Sequence, residues 1–167
     1  ATATMTDCVF TENDANGDGG GIGIWGGLGG NLILRNNDFT GNFALWNGGG
    51  LGFYAGGINA VEVYDSNFTG NTAFYGGGMF LGPTAFTLIN GDLQNNVAQE
   101  GGAINGYDCS VNIDSAEIIG NSAIMPSGLT GGLGGGLTFW NSGGFVTNCV
   151  MQSNNADDAG GAVFLAG

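Results

Sequence analysis

The sequence has no histidine, and its 167 residues carry one basic side chain, Arg35. Against that single cation stand 14 carboxylates, for a formal net charge of −13 at pH 7. A field of that sign repels nucleic-acid phosphates and anionic membranes, so neither is expected as a partner. Divalent cations and basic partners would be attracted. No apolar run reaches the ~20 residues that span a bilayer, so no direct membrane insertion is expected. No stretch reads as a signal peptide either. The chain begins with alanine, as expected of a processed chain or a fragment. Cysteine is scarce and odd in number, at positions 8, 109 and 149. Proline occurs twice, whereas glycine occurs 37 times. Without a period, that much glycine signals low complexity or disorder. Here the glycines fall at fixed offsets and 43% of residues are hydrophobic, which marks an ordered repeat.

The unit is plainest at Phe68-Thr69-Gly70-Asn71-Thr72-Ala73, followed by Gly76-Gly77-Gly78-Met79. It occurs six times, with Asn13, Asn42, Asn71, Asn96, Asn121 and Asn154 as register marks. A self-similar period of this length is the signature of a solenoid. The Asn spacings are 29, 29, 25, 25 and 33, so the shortest coil has 25 residues and the longer ones carry insertions. Eight places before each Asn stand Met5, Leu34, Val63, Leu88, Ile113 and Val146, all apolar. The positions ten before are apolar or small, and the period of two puts both on one face of a first strand. Phe10, Phe39, Phe68, Leu93, Ile118 and Met151 mark a short second strand. After the glycines, Ile22, Leu51, Met79, Ile104, Leu137 and Val163 open a third.

Three short strands per coil, stacked in register, describe an all-β chain. The expected fold is a parallel β-helix of six coils, with residues 1–167 forming one β-solenoid domain. Left-handed solenoids built on 18-residue hexapeptide coils do not fit a 25-residue minimum, so the right-handed form is expected. An Asn in every layer offers two donors and an acceptor oxygen, and can bond its amide to the one above. The Ala two places later suits a tight corner. One coil has too few inward side chains to offset the entropy of ordering itself, so neighbouring coils must supply burial and hydrogen bonds. The chain opens on a first strand and closes on a third, with no helix over either end. Bare strand edges invite pairing. The expectation is therefore an interior piece of a longer solenoid, or copies stacked head to tail.

These repeats resemble those of the chlamydial polymorphic outer membrane proteins, which carry GGAI and FxxN motifs. FxxN stands unaltered at Phe10–Asn13, Phe39–Asn42 and Phe68–Asn71, and GGAI at Gly101–Ile104. The resemblance spans all six coils. It implies a right-handed β-helix, an extracellular or cell-surface location and an adhesive role. An outer-membrane β-barrel is missing from the sequence.

Several side-chain groups could carry chemistry. Asp92 and Glu117 fall at one outward phase in adjacent layers, with Asp114 nearby in sequence. Such a carboxylate pair could act on glycosides. With no Lys or His, and Arg35 at least two layers away, a polysaccharide lyase or hydrolase is the lesser expectation and no catalytic residue is assigned. Asp14, Asn16 and Asp18 match the first half of a calcium loop. Trp25 stands where an EF-hand needs Glu, so Ca²⁺ on this corner is the only cofactor considered. Trp25, Tyr54, Tyr107 and Trp140 share one outward phase of the third strand. Trp46 and Tyr75 share a corner, four places after the Asn. Exposed aromatic rows mark contact surfaces, for glycans or for another solenoid. Asn67-Phe68-Thr69 is a glycosylation sequon, relevant only to a secreted eukaryotic protein. Cys8 and Cys149 share one column five layers apart, ~24 Å at ~4.8 Å per layer, too far for a disulfide within the chain. All three cysteines are expected to be buried free thiols. The leading expectation is a non-enzymatic structural or adhesive solenoid of a surface fibre or filament. A carbohydrate-binding module is the alternative.

Overall fold

A computed structural model describes residues 2–26, 29–54, 60–124 and 131–167. Among these residues there is no helix, and every strand pairing is parallel. Three sheets of six strands run the length of the molecule, each coil giving one strand to each sheet. The first sheet comprises Ala3–Thr6, Asn31–Arg35, Ala60–Tyr64, Ala85–Ile89, Ser110–Asp114 and Gly143–Thr147. The second is built on the FxxN apolar residue, from Val9–Thr11 to Val150–Gln152. The third follows the glycines, from Ile22–Trp25 to Val163–Ala166. Residues 55–59 and 125–130, in two of the longer coils, lie outside the described residues.

Register follows the apolar columns. Leu34 pairs with Val63, Val63 with Leu88 and Leu88 with Ile113. These side chains, with Leu32, Val61 and Phe86, have at most 1% exposure and fill the solenoid interior. Phe10, Phe39 and Phe68 stack in the second column, with centroids 4.6 and 4.4 Å apart and planes within 6°. That spacing is the rise between neighbouring strands, so the column has no room for slippage. In the third sheet Gly106 faces the Phe139 ring: a Cβ there would lie 2.6 Å from Phe139 Cδ1.

The corners use left-handed backbone. Asp7, Asn36, Asp65, Asn90, Ser115 and Asn148, between the first and second strands, all have φ between 49° and 56°. Asn and Asp tolerate that region because their side chains bond locally. Here they bond across layers as well: Asn36 Nδ2 donates to Asp7 Oδ1, and Asn90 Nδ2 to Asp65 Oδ1. The glycine pair serves two needs. Gly101 has φ 62°, while Gly102 sits against backbone, where a Cβ would come 2.2 Å from Gly135 O.

One expectation about the corners changes. The Ala after each Asn is not merely a corner residue. In five of the six coils it forms, with the residue before it, a two-residue strand, as at Val97–Ala98, Ser122–Ala123 and Asn155–Ala156. Thr72 bridges this fourth, narrow side between Phe43 and Val97.

Candidate functional site

The third sheet points the first and third residues of each strand inward and the second and fourth outward. Trp25 pairs with Tyr54, and Tyr107 with Trp140, along the outward fourth column. Between the two pairs that column holds Gly82, whose N–H donates to Phe53 O at 2.9 Å. Gly82 has no side chain, so Tyr54 and Tyr107 stand two layers apart, ~9.6 Å along the axis. Phe80, on the outward second column, packs beside Tyr54 with centroids 6.1 Å apart and planes at 15°. It also meets Tyr75 at 6.5 Å.

A groove of about 620 Å³ results. Its aromatic walls are Tyr54, Tyr75, Phe80, Tyr107 and Trp140. Asn47, Glu100 and Asn105 supply its polar groups, and Gly82 and Pro83 complete the lining. The Glu100 carboxylate is held in place from two coils. Trp140 Nε1 donates to Glu100 Oε2 at 3.1 Å, and Asn105 Nδ2 to the same oxygen at 3.4 Å. Among the described residues, Oε1 accepts no hydrogen bond. Burial first, then the Glu100 charge, pushes the Tyr75 phenol above its ordinary value. Tyr75 therefore stays a neutral hydroxyl, able to donate and accept.

The structure brings together four of the six aromatics singled out from the sequence. Trp25 stacks on Tyr54 at 5.5 Å, outside the groove lining, and is 71% exposed. The shared corner of Trp46 and Tyr75 is corrected. Tyr75 bridges to Asn47 on one side and Glu100 on the other. The first two coils carry one more residue between Asn and glycine than the third, which shifts Trp46 out of the column. Its ring lies 5.9 Å from Phe74 instead. Sequence reasoning missed Phe80, Glu100 and Asn105. The signal was present: Phe80 occupies an outward phase where the preceding coils have Gly23 and Gly52.

No family model, curated protein or solved structure matches this chain. The resemblance to the chlamydial repeats thus rests on the FxxN and GGAI segments themselves.

A second candidate feature is the axial Asn ladder. Asn42 Nδ2 donates to Asn71 Oδ1, Asn71 to Asn96 and Asn96 to Asn121, at 2.9–3.0 Å. Asn13 and Asn154 extend it at either end. Each Oδ1 from Asn42 onward also takes the backbone N–H of the preceding Asn. The second amide hydrogen reaches back to a carbonyl of the preceding coil, as from Asn96 to Phe68 O. The amides of Asn42, Asn71, Asn96 and Asn121 thus repeat the same bonds, and the ladder has a direction.

The acidic candidates are placed as follows. Asp92 and Glu117 are direct partners on adjacent strands of the second sheet. Asp114 accepts from Thr147 Oγ1 at 2.9 Å and Asn148 Nδ2 at 2.7 Å, and these bonds hold its carboxyl below the ordinary range. Its carboxylate is thereby engaged by the next coil's corner. Arg35 lies over the Tyr64 ring, 4.2 Å from its centroid, on the first sheet. On the calcium-like corner, Asp18 Oδ1 accepts both the backbone N–H and Nδ2 of Asn47. Among the described residues, no three of His, Cys, Asp and Glu converge as a metal site. Asn67 is exposed, and its Nδ2 donates to Asp38 Oδ1 at 2.8 Å. The three cysteines are free, but only Cys109 is buried, whereas Cys8 and Cys149 in the outer coils are half-buried. The expectation of three buried thiols is corrected at Cys8 and Cys149, which stand in the first and last of the described coils.

Proposed function

We propose that this chain is a non-enzymatic, extracellular β-solenoid with a structural and adhesive role, a stretch of surface fibre or filament built coil on coil. The directional Asn ladder carries this reading. Asn154 presents the amide hydrogen that its counterparts give to the next coil, and Asn13 presents the oxygen that its counterparts offer to the preceding one. A coil added at either end, from the same chain or from a second copy, meets the groups it would bond. Apolar surface favours the same event. Val146 and Leu165 occupy inward columns yet are 41% and 68% exposed in the last rung, whereas Leu88 and Leu81 in those columns are fully buried. Covering such side chains contributes roughly 1.5–3 kcal/mol each. The acidic surface and the FxxN/GGAI resemblance support the extracellular placement, and the aromatic groove supports the adhesive one.

Negative-stain electron microscopy at neutral pH tests the stacking of copies. Long uniform filaments that shorten in Asn154→Leu are expected. Short, monodisperse particles at every protein concentration would refute self-stacking.

A further inference from the structure

We propose that the groove between Tyr54 and Trp140 is a binding site for a neutral oligosaccharide, with pyranose rings lying against Tyr107 and Trp140 and hydroxyls donating to Glu100. The site is on the side of the solenoid, so the inference stands apart from how the ends behave.

Three observations select this ligand. First, the lining combines aromatic side chains with a few polar groups. Sugar rings present apolar C–H faces and a rim of hydroxyls, and a site for them must offer both. Second, the Glu100 carboxylate is an acceptor set in place before any ligand arrives. Trp140 and Asn105 both bond Glu100 Oε2, which orients the carboxylate and leaves Oε1 to accept a ligand hydroxyl. Tyr75 is half-buried beside it and adds a hydroxyl that stays protonated. A hydrogen bond to an ionised acceptor is roughly twice as strong as a neutral one. Third, charge excludes the acidic sugars. The one basic residue, Arg35, lies over Tyr64 on the first sheet, and the chain's net charge of −13 repels uronates and sulfated glycans.

Size and spacing agree. The groove runs from the Leu51–Tyr54 coil to the Leu137–Trp140 coil, three layer steps or ~14 Å. Its volume of about 620 Å³ suits linked sugar rings rather than a single small group. Without a side chain at Gly82, the ~9.6 Å interval between Tyr54 and Tyr107 leaves room for one ring edge between them. A quaternary ammonium is the competing chemistry, because aromatic rings beside a carboxylate also hold cations. Such a group would fill only a small part of this length.

The test is an array of defined neutral oligosaccharides, followed by calorimetric titration with the best of them on the full chain. Polygalacturonate and tetramethylammonium serve as the acidic and cationic probes. Saturable binding of at least one neutral series is expected. Affinity should fall at least tenfold in Trp140→Ala and in Tyr107→Ala, the latter removing a side chain that is 46% exposed and leaves the core untouched. Glu100→Gln should weaken binding several-fold, and Phe145→Ala, exposed on the first sheet, should leave it unchanged. The proposal is overturned if no neutral glycan binds, if binding survives both aromatic substitutions, or if only tetramethylammonium or polygalacturonate binds.

Discussion

Asn96 gives both its backbone N–H and its Nδ2 to one atom, Asn121 Oδ1, at 2.9 Å each. Both residues are fully buried, so these donors have no access to water. Asn121→Leu would fill similar volume while removing that acceptor and the donor to Leu93 O. Each orphaned buried group costs about 1–3 kcal/mol. The expected loss is therefore roughly 3–5 kcal/mol, read as a lower urea midpoint. Asn154→Leu, in the half-covered last coil, should cost clearly less. Equal losses at the two positions would mean that ladder bonding is not what the buried Asn provides.

At Gly50, in the Gly48-Gly49-Gly50-Leu51 segment, the second column accounts for the glycine. Gly50 faces the Phe68 ring of the next coil, and a Cβ there would lie 2.7 Å from Phe68 Cδ1. Ala103, in a coil followed by Ile118, keeps its methyl and is fully buried. Gly50→Ala is expected to destabilise by about 1–3 kcal/mol through overpacking of a rigid stack. Combining it with Phe68→Leu should recover much of that loss, because the ring that clashes is gone. A double variant no more stable than the sum of the two losses would show the two sites to be uncoupled.

Much of the fold was legible because the solenoid repeats one decision. An inward column must be apolar in every coil, so Met5 through Val146 reports the same constraint six times. The left-handed corner from Asp7 to Asn148 was visible as a column of turn formers, and the Asn ladder as an invariant amide. The groove was less legible because it is an exception to the repeat. Gly82 interrupts an aromatic column, Phe80 replaces glycine, and Glu100 takes the corner place held by Tyr75 one coil earlier. Such departures show no periodicity, and their meeting depends on a register that one extra residue can move, as at Trp46. The short strand at Val97–Ala98 was hidden for a different reason: two residues are too few to show alternation.

The thiols should separate by reactivity. Burial pushes the Cys109 thiol up to about 11, and its Sγ lies within 3.4 Å of the Leu81, Gly82 and Tyr107 carbonyls. At pH 8 iodoacetamide should label Cys8 and Cys149 in the native chain, and Cys109 only after denaturation, since the thiolate is the nucleophile. The raised value also has a stability consequence. The unfolded thiol ionises near 9.0 and the folded one only near 11, so the stabilising contribution is complete below the former and is lost as pH rises through the latter. Across that window the unfolded state binds fewer protons and stability falls. The drop should be smaller in Cys109→Ala. Rapid native labelling of Cys109 would contradict its burial.

Cys8 and Cys149 give the stacking proposal a chemical readout. They occupy the same column, five before the Asn, in the first and last coils. Head-to-tail stacking in register would place Cys149 of one copy one layer from Cys8 of the next, with Cα atoms ~4.8 Å apart. Disulfides form at Cα separations of about 4.4–6.8 Å, so this pair is within reach although the two are ~24 Å apart in one chain. Glutathione disulfide is a suitable oxidant. The Cys149 thiolate attacks it and expels one glutathione thiolate, and the Cys8 thiolate of the neighbour then attacks the Cys149 sulfur of the mixed disulfide and expels the second. The expected product is a ladder of covalent multimers on non-reducing gels, collapsing to one band with dithiothreitol. Cys149→Ser and Cys8→Ser should each abolish the ladder, whereas Cys109→Ser should leave it intact. Because the Asn ladder and not the disulfide is proposed to drive assembly, filaments should persist under dithiothreitol. Filaments without cross-links would place the copies in another register or polarity. Cross-links limited to dimers, with no filaments, would refute end-to-end stacking.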